Sequence, residues 1–350
     1  MELVDYLKNN TLESLRDDNI KIYKFKNLRL LRYKYDDKIT KEHLKYCKGC
    51  IYNVDTKELV CVPPKRVDKY NNEEIDDTYE IQGLIDGTMF NVFYTNDEWK
   101  ISTRSDIGGK NKWENKSFIN LIEDVCSLDS ITSVLNKEYS YSFILRHKMN
   151  RCVSNVEFNA IVLTDIYDRN NNKYVDNLYT HFNKEIPFYI VNIYNINNLD
   201  RFMNQKMDYN WKGIIIKKGN IRYKYINPNY EKAKELAVNT NNAVVKYINC
   251  LKNKNIGRYL RLYPESKKEF NKYKEIIDII VNEIYDNYSR LKIKKEIKFK
   301  DIPFHIRPYI NEIHEEYIIK NKRIDTRFIK YYLINQPAER IRFIMNNYIV

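Results

Sequence analysis

The cysteines and histidines are the residues of this 350-residue chain whose types most directly suggest chemistry. A C-x-x-C pair runs from Cys47 to Cys50, Cys61 follows eleven residues later, and His43 lies nearby. Four zinc ligands are therefore arithmetically available, but no second C-x-x-C or H-x-x-x-H supplies the spacing of a structural zinc site. We interpret these thiols as small side chains packed in a pair of strands and predict no metal site.

The five histidines could act as general bases, but they have no recognisable catalytic partner. They stand at positions 43, 147, 181, 305 and 314, and none belongs to a Ser, Cys or Asp motif. A nucleophilic triad would depend on tertiary proximity that the sequence does not reveal. We therefore predict no triad.

The most informative segment is the turn Asp86-Gly87-Thr88, which follows the apolar run EIQGLI and precedes a predicted hairpin and the triplet TRS at 103–105. It resembles the turn on which covalent nucleotidyltransferases present a nucleophilic lysine, two residues before the aspartate. In this chain that position is Leu84.

Three further blocks, in the same order along the chain, resemble motifs of phage-type RNA ligases. Residues 47–71 read CKGCIYNVDTKELVCVPPKRVDKYN, which is similar to R-G-hydrophobic, an aspartate turn and P-K-F-F-N. Residues 139–153 read YSYSFILRHKMNRCV, which is similar to F-E-F-V…N-R-I-V. Residues 211–236 read WKGIIIKKGNIRYKYINPNYEKAKEL, which is similar to E-G-I-V-I-K…R-x-K-x-K/R-x-P-x-Y. The chain thus resembles the RNA ligase family of the covalent nucleotidyltransferases over residues 20–235.

This resemblance implies a chemistry that the chain's own residues do not support. In that family a lysine amine attacks the α-phosphorus of ATP and forms lysyl-AMP before transfer to an RNA 5′-phosphate. The matching positions hold Leu84 for the nucleophile, Ser142 and Lys212 for two glutamates, and Ile226 for the second of two basic residues. A hydroxyl and an ammonium do not ligate a divalent cation as carboxylates do. We predict that nucleotidylation is lost and that no catalytic residue or metal site remains.

Residues that would bind nucleotide or RNA are retained at the matching positions. Such residues contact phosphate without performing catalysis, and the alternative is a solvated basic strand face. The predicted binding residues are Lys48, Lys65, Asp86, Gly87, Arg104, Arg151, Lys217, Arg222 and Lys224.

Three functional hypotheses follow from these residues. The first is an RNA-ligase-like pseudoenzyme that binds RNA or nucleotide, as part of a larger complex or a virus particle. The second is an active ATP-dependent RNA ligase that needs ATP and Mg²⁺ and uses a displaced nucleophile, Lys65, Lys212 or Lys217, because desolvation can lower the pKa of a lysine. The third is a structural scaffold whose cleft is filled by Leu84 and Ile226.

Short alternating runs rich in β-branched and aromatic residues predict strands through most of the first 229 residues. These runs lie at 21–25, 28–35, 50–54, 59–63, 80–94, 98–105, 139–145, 158–167, 188–194 and 211–225. Turn-forming residues at 95–97 predict a hairpin, and the apolar spacing predicts a helix over 113–135. We predict an α+β fold, with a nucleotidyltransferase domain of antiparallel sheets, unrelated to ATP-grasp, over residues 1–230.

After residue 228 the apolar period changes to that of a helix. Helices are predicted at 229–238, 243–252, 269–292, 306–320 and 326–334, which gives an all-helical C-terminal domain over residues 231–350. This part has 25 Lys and Arg against 15 Asp and Glu and so contains most of the net charge of +13. Its densest run, KIKKEIKFK at 292–300, is either a solvated helix end or part of a groove for an RNA backbone.

The composition restricts the class of protein. A hydrophobic fraction of 43% excludes a disordered chain. The sequence has no secretory signal at its start and no apolar run of about 18 residues, so we expect no membrane partner. Six cysteines are too sparse for a disulfide framework, so we expect reduced thiols in an intracellular, cytoplasmic protein. The bias towards Lys, Asn, Ile and Tyr is that of an AT-rich genome, and we leave a viral source open.

Overall fold

The computed structural model describes residues 2–34, 39–110, 112–113, 116–237, 240, 242–320 and 323–349. The chain divides into two compact units, Met1–Lys232 and Ala233–Val350. Over the described residues the first unit contains the strands and a few short helices, and the second contains helices. This is the α+β arrangement that the sequence predicts, with a helical C-terminal region.

The strands are short and are connected by turns, 3₁₀ segments and short helices. In chain order they are β1 (Ile20–Phe25), β2 (Leu28–Tyr33), β3 (Lys48–Asn53), β4 (Glu58–Cys61), β5 (Asp68–Lys69), β6 (Glu80–Gly83), β7 (Thr88–Thr95), β8 (Glu98–Ser102), β9 (Lys112–Trp113), β10 (Lys116–Ser117), β11 (Tyr139–Arg146), β12 (Ala160–Asp168), β13 (Lys173–Tyr174), β14 (Tyr189–Ile190), β15 (Ile193–Asn195), β16 (Gly213–Lys218) and β17 (Ile221–Ile226).

The helices of the first unit are short, and those of the second are longer and amphipathic. In chain order they are α1 (Leu3–Asn9), α2 (Phe118–Glu123), α3 (Leu128–Thr132), α4 (Leu199–Asn204), α5 (Pro228–Leu236), α6 (Ala243–Lys252), α7 (Ile256–Leu262), α8 (Lys267–Tyr288), α9 (Arg307–Lys320), α10 (Thr326–Asn335) and α11 (Ala338–Asn346). None of the described helices is long and apolar enough to span a bilayer.

Three sheets build the first unit. The first sheet has the order β1-β2-β3-β4, the second sheet the order β13-β12-β11-β7-β8 with β14 beside β12, and the third sheet the order β15-β6-β16-β17-β5. Strands β9 and β10 form a separate ribbon. Pairing is antiparallel as predicted, except that β14 and β5 each add a two-residue parallel edge, to β12 and β17.

The predicted run 80–94 forms two strands in different sheets. Strand β6 belongs to the third sheet and β7 to the second, and the chain crosses between them at residues 84–87. Gly87 makes the crossing possible, because it has φ 146° and a Cβ there would lie 2.4 Å from the carbonyl oxygen of Leu145. The run 188–194 divides in the same way, into β14 of the second sheet and β15 of the third.

The predicted helix over 113–135 is wrong as a single element. Two short helices, α2 and α3, replace it, and each begins at a serine whose hydroxyl accepts a backbone N–H. Ser117 accepts from Asn120 and Ser127 from Ser130. Serine favours such N-caps over helix interiors, so the second cap interrupts an otherwise suitable apolar pattern.

The hairpin predicted at 95–97 is present between β7 and β8. Asn96 and Asp97 both have positive φ, 52° and 57°. Two successive residues in this region are the feature of a tight turn that matches the twist of a hairpin, and Asn and Asp tolerate it well.

Separate apolar cores stabilise the parts of the chain. In the first unit, buried residues of α2, α3, β7, β11 and β12 form the largest cluster, centred on Phe90 and Phe143. In the second unit, the buried face of α8 packs with residues of α6, α9, α10 and α11. Helices α7 and α11, which the sequence analysis did not predict, belong to this core through Tyr259 and Ile344.

Candidate functional site

A cleft of about 510 Å³ opens in the first unit at the crossing from β6 to β7. Its walls come from strand β3, the crossing, strand β7, the loop after β8, helix α2, strand β11 and the residue before β16. The lining residues are Lys48, Leu84, Ile85, Gly87, Thr88, Met89, Asn91, Thr103, Arg104, Ser105, Phe118, Ile144 and Lys212. Five of the residues singled out from the sequence therefore meet here: Lys48, Leu84, Gly87, Arg104 and Lys212.

The charged side chains that line the cleft are all cationic. Three lining side chains, Lys48, Arg104 and Lys212, are cationic, and no Asp or Glu belongs to the lining that the structure describes. The other walls are apolar or have neutral hydroxyl and amide groups. Such a surface suits an anionic ligand that also has an apolar or planar part.

A glycine brings two of these cations to one wall. Gly49 has φ 100°, and a Cβ there would lie 3.0 Å from the Cα of Arg104. Strand β3 can therefore contact the loop after β8, which puts Lys48 beside Arg104 in the cleft lining. The guanidinium of Arg104 also lies 4.9 Å from the ring centre of Tyr33, a cation–π distance.

Asp86 fixes the crossing from beneath the cleft. The backbone N–H groups of Val153 and Ser154 donate to its Oδ2 at 2.9 and 2.8 Å. The Tyr230 hydroxyl donates to Oδ1 at 2.6 Å, and Nζ of Lys212 lies 3.7 Å from the same oxygen. Residues of two other sequence blocks, 139–153 with the adjacent Ser154 and 211–236, thus converge on the carboxylate of the turn.

The electrostatics of Asp86 follow from these contacts. The side chain is only 9% exposed, and burial alone would raise the pKa of the carboxyl group. The Lys212 ammonium and the hydrogen bonds from Tyr230, Ser154 and Val153 outweigh burial and hold the pKa below its usual range. Asp86 is therefore a carboxylate whose oxygens are already engaged.

Lys212, which the sequence resemblance matches to a glutamate, faces both the Asp86 carboxylate and the cleft. Its Nζ donates to the carbonyl oxygen of Ile85 at 3.1 Å and lies 5.8 Å from the ring centre of Tyr230. The ammonium thus contacts the crossing at Ile85 and Asp86, while the Lys212 side chain lines the cleft.

Ser142, which the resemblance matches to the other glutamate, is buried and does not belong to the cleft lining. Its hydroxyl donates to Oδ1 of Asn91 at 2.8 Å, and Asn91 donates to the Ser102 hydroxyl at 3.3 Å. Asn91 lines the cleft, so Ser142 acts on it only through Asn91. This neutral chain across β11, β7 and β8 has no charged group.

Two of the predicted binding residues, Lys217 and Arg222, lie away from the cleft lining, where the third sheet faces Asp165 of the second. Arg222 and Asp165 form an ion pair in which both side chains are almost fully buried, and Arg222 lies 4.2 Å from the ring centre of Tyr174. Burial lowers the pKa of Lys217, Asp165 raises it in part, and Arg222 lowers it further. The Tyr174 hydroxyl accepts the backbone N–H of Lys65 at 3.2 Å.

The other predicted residues also have local roles. The Lys65 ammonium pairs with Glu42 at 3.2 Å, and Arg151 donates to the carbonyl oxygen of Val153 at 3.1 and 3.3 Å. On β17, Lys224 stands opposite Ile215, and Ile226 stands opposite Gly213. Neither belongs to the cleft lining.

Several site residues escaped the sequence analysis. Asn91, Phe118 and Ile144 line the cleft but belong to ordinary strand or helix patterns, which give no signal of a site. Asp165, the buried partner of Arg222, gave no signal either, because in the sequence it is a single acidic residue within an apolar strand. Tyr230 was visible as the last letter of the P-x-Y pattern, and its spacing from Lys224 was the available signal.

The cysteines and histidines take no part in the cleft lining. Cys47, Cys50 and Cys61 are fully buried thiols, and burial raises the pKa of Cys47 and Cys61 to about 12. Burial lowers the pKa of His43, and the ring stacks on Tyr6 at 4.1 Å. These are the properties of packed, unreactive side chains.

The second unit exposes a strongly basic connection between α8 and α9. We call residues 289–307 the basic loop; it contains seven Lys and Arg against two Asp and Glu. Ile302 and Ile306 anchor it in the helical core, and Arg307 donates to the carbonyl oxygens of Ile302 and Lys300, both at 2.8 Å. Phe304 is 77% exposed within this positive segment.

Comparisons with known proteins give similarities at the level of structure. No protein-family model and no curated protein matches the chain. It is similar to an archaeal ATP-dependent RNA ligase, form 1, at 12% identity and a TM-score of 0.44, over 75% of this chain and 70% of that chain. It is also similar to a putative ATP-dependent DNA ligase from Aquifex aeolicus, at 14% identity and a TM-score of 0.42, over 74% and 68%.

A third similarity is to the Naegleria gruberi RNA ligase with PPi, at 14% identity and a TM-score of 0.35. It covers 45% of this chain and 52% of that one, so this chain spans about half the length of the Naegleria protein. All three similarities are at low sequence identity. The solved structures to which this chain is similar are thus ATP-dependent RNA and DNA ligases at low identity.

Proposed function

We propose that this protein is an RNA-ligase-like pseudoenzyme whose cleft binds a nucleotide or a 5′-phosphorylated RNA end without forming lysyl-AMP. The observation that supports the proposal is the cleft lining, in which Leu84 stands with three cations and, among the residues that the structure describes, with no carboxylate. The cations supply attraction for phosphate, and the neighbouring apolar side chains supply a surface for a base.

The absence of a nucleophile at residue 84 is the main argument against catalysis. A lysyl-AMP intermediate needs an amine that attacks the α-phosphorus while pyrophosphate leaves. Leu84 has no such atom, and its backbone N–H is engaged with the carbonyl oxygen of Gly213 at 2.9 Å. The retained turn at Asp86 and Gly87 then serves to shape the cleft.

Labelling with nucleotide separates binding from catalysis. The protein is incubated with α-labelled ATP or GTP and with Mg²⁺ or Mn²⁺, then denatured and separated by electrophoresis. In parallel, a gel-shift assay compares single-stranded RNA with a 5′-phosphate and with a 5′-hydroxyl. The proposal expects no covalent label, and retarded RNA with a preference for the 5′-phosphate.

The salt dependence of the gel shift gives a second criterion. Each phosphate neutralised on a single strand contributes a slope of about −0.7 in log affinity against log salt. Lys48→Met or Arg104→Met should reduce the slope, whereas the exposed Lys206→Met should not. Unchanged slopes in both cleft variants would contradict binding through the cleft.

The second candidate is an active ATP-dependent RNA ligase with a displaced nucleophile, and one observation favours Lys212 for this role. Of the three lysines considered from the sequence, Lys212 lines the cleft together with Leu84, whereas Lys65 and Lys217 do not belong to its lining. In such a step the neutral amine would form the N–P bond, pyrophosphate would leave with the electrons of the broken P–O bond, and the ammonium proton would first pass to solvent.

The same labelling experiment tests this candidate. A label that survives denaturation and disappears in Lys212→Met, but persists in Lys206→Met, would establish the displaced nucleophile and overturn the pseudoenzyme. If neither label nor RNA binding is detected, the fold is a structural part. The chain would then be a structural component of a larger complex or virus particle.

The basic loop would add a surface for RNA in the second unit. Its excess of cations attracts a phosphate backbone, and an exposed aromatic side chain can stack on an unpaired base. This contribution would be sequence-tolerant, because both interactions are available to any single strand.

A further inference from the structure

The divalent metal ion that the family resemblance implies does not fit the residues present in the cleft. Mg²⁺ requires several oxygen ligands in octahedral geometry, with carboxylates supplying charge. The two matching carboxylate positions hold Ser142 and Lys212. The Ser142 hydroxyl donates to Asn91, and the Lys212 ammonium is a cation that lines the cleft itself.

The nearby carboxylates do not compensate for these losses. The oxygens of Asp86 are engaged with two backbone N–H groups, the Tyr230 hydroxyl and Lys212. Asp106, in the loop after Arg104, accepts the backbone N–H of Lys110 at 3.0 Å. Across the described part of the chain, no three His, Cys, Asp or Glu side chains gather closely enough to hold a metal ion.

We infer that the cleft binds its phosphate ligand as the metal-free anion, and that Mg²⁺ weakens binding instead of supporting it. This inference depends on the proposed function, since it concerns the ligand of the same cleft. The three cationic side chains neutralise the phosphates directly, in the place of a metal ion. A Mg²⁺ complex of the ligand presents less negative charge to them and adds a cation that Lys212 repels.

The size of the effect follows from Coulomb's law. One unit of charge at ~4 Å in water-like surroundings changes affinity by about sixfold. Mg²⁺ cancels two of the negative charges of ATP, and screening by salt reduces the full effect. We therefore expect ATP to bind at least about sixfold more weakly with saturating Mg²⁺ than with a chelator, at equal ionic strength.

The experiment measures ATP binding to the full chain by titration calorimetry, once with EDTA and once with saturating MgCl₂. Tripolyphosphate is titrated in the same way, because it keeps the charge and lacks the base. The decisive variant is Lys212→Glu, which restores a carboxylate beside Asp86, and Lys206→Glu is its control for the same change of net charge on an exposed side chain.

Tighter binding with EDTA in the unmodified protein and in Lys206→Glu, with the preference reversed or abolished in Lys212→Glu, supports the inference. Tighter binding with Mg²⁺ in the unmodified protein overturns it, while the proposed binding function stands. If ATP and tripolyphosphate bind in neither condition, the inference fails together with nucleotide binding.

Lys212→Glu could misfold, because it places two carboxylates side by side. In that case Lys212→Met, which removes the ammonium without adding a carboxylate, is used in place of Lys212→Glu. With Lys212→Met the affinity for ATP in EDTA should fall and the penalty for Mg²⁺ should shrink. An unchanged Mg²⁺ penalty in this variant would contradict the role given to Lys212.

Discussion

Replacing Asp86 by Asn tests whether this carboxylate holds the first unit together at the cleft. The carboxylate accepts three hydrogen bonds and faces the Lys212 ammonium. An amide of the same shape has one acceptor oxygen, and its NH₂ group would face either the backbone donors or the ammonium. Charge-assisted bonds contribute about 1 kcal/mol more than neutral ones, so three of them give a loss of about 3 kcal/mol.

The chain offers a selective probe for this change. Its three tryptophans, Trp99, Trp113 and Trp211, all lie in the first of the two units. Urea unfolding followed by tryptophan fluorescence therefore reports the unit that contains Asp86. With a slope of about 3 kcal/mol per M, the midpoint should fall by about 1 M, and the exposed Asp77→Asn should leave it unchanged.

The difference in urea midpoint between the unmodified protein and Asp86→Asn should depend on pH, and this dependence tests the role given to the carboxylate. The pKa of Asp86 is lowered in the folded protein, so its stabilisation is complete above the unfolded pKa of about 3.9 and is lost as the pH falls through the lower folded value. The gap between the unmodified protein and Asp86→Asn should narrow below about pH 4. An unchanged midpoint, or a gap that does not vary with pH, would refute the reasoning.

Three further outcomes are expected. Gly87→Ala should destabilise the first unit in the tryptophan assay, because its Cβ would meet the carbonyl oxygen of Leu145. The control is Gly257→Ala in α7, where a Cβ would have nothing within 4 Å. Circular dichroism should show that this control is neutral or stabilising. Phe304→Ala should weaken binding of single-stranded RNA by about 1–3 kcal/mol in a gel shift, and the exposed Phe343→Ala should not; equal effects would exclude stacking at the basic loop. A thiol reagent at mildly alkaline pH should modify only the two half-buried cysteines before unfolding, as counted by mass spectrometry, and early modification of any of the other four would contradict their burial. The half-buried pair is Cys126 and Cys152, and the protected set is Cys47, Cys50, Cys61 and Cys250.

The strands and long helices were predictable because burial on one face imposes a period on the sequence. Strand β1 and helix α8 show this clearly, since Ile20 and Ile22 are buried on either side of the exposed Lys21 and the buried residues of α8 recur every three or four positions. The points at which one predicted run divides into two strands were harder to predict. The crossing at residues 84–87 lies within a run that alternates well enough for one strand, and only the close approach of Gly87 to Leu145 separates the two sheets.

The cleft was predictable in part, through residues whose chemistry is unusual for their position. Lys48, Arg104 and Lys212 stood out as cations in motifs, and all three line the cleft. Lys217 and Arg222 stood out equally but lie with Asp165 between two sheets. The sequence around these residues gives no sign of which cations line the cleft, because that depends on packing between strands that are distant in sequence.

The hydrogen bond from Tyr230 to Asp86 makes the first turn of helix α5 part of the support of the cleft. Strand β17 ends at Ile226 and α5 begins at Pro228, so the hydroxyl that supports the cleft comes from a helix and not from a sheet. A protein shortened to the last strand would keep every residue of the cleft lining and still lose the donor beneath it. The minimal version of the cleft therefore extends at least to Tyr230.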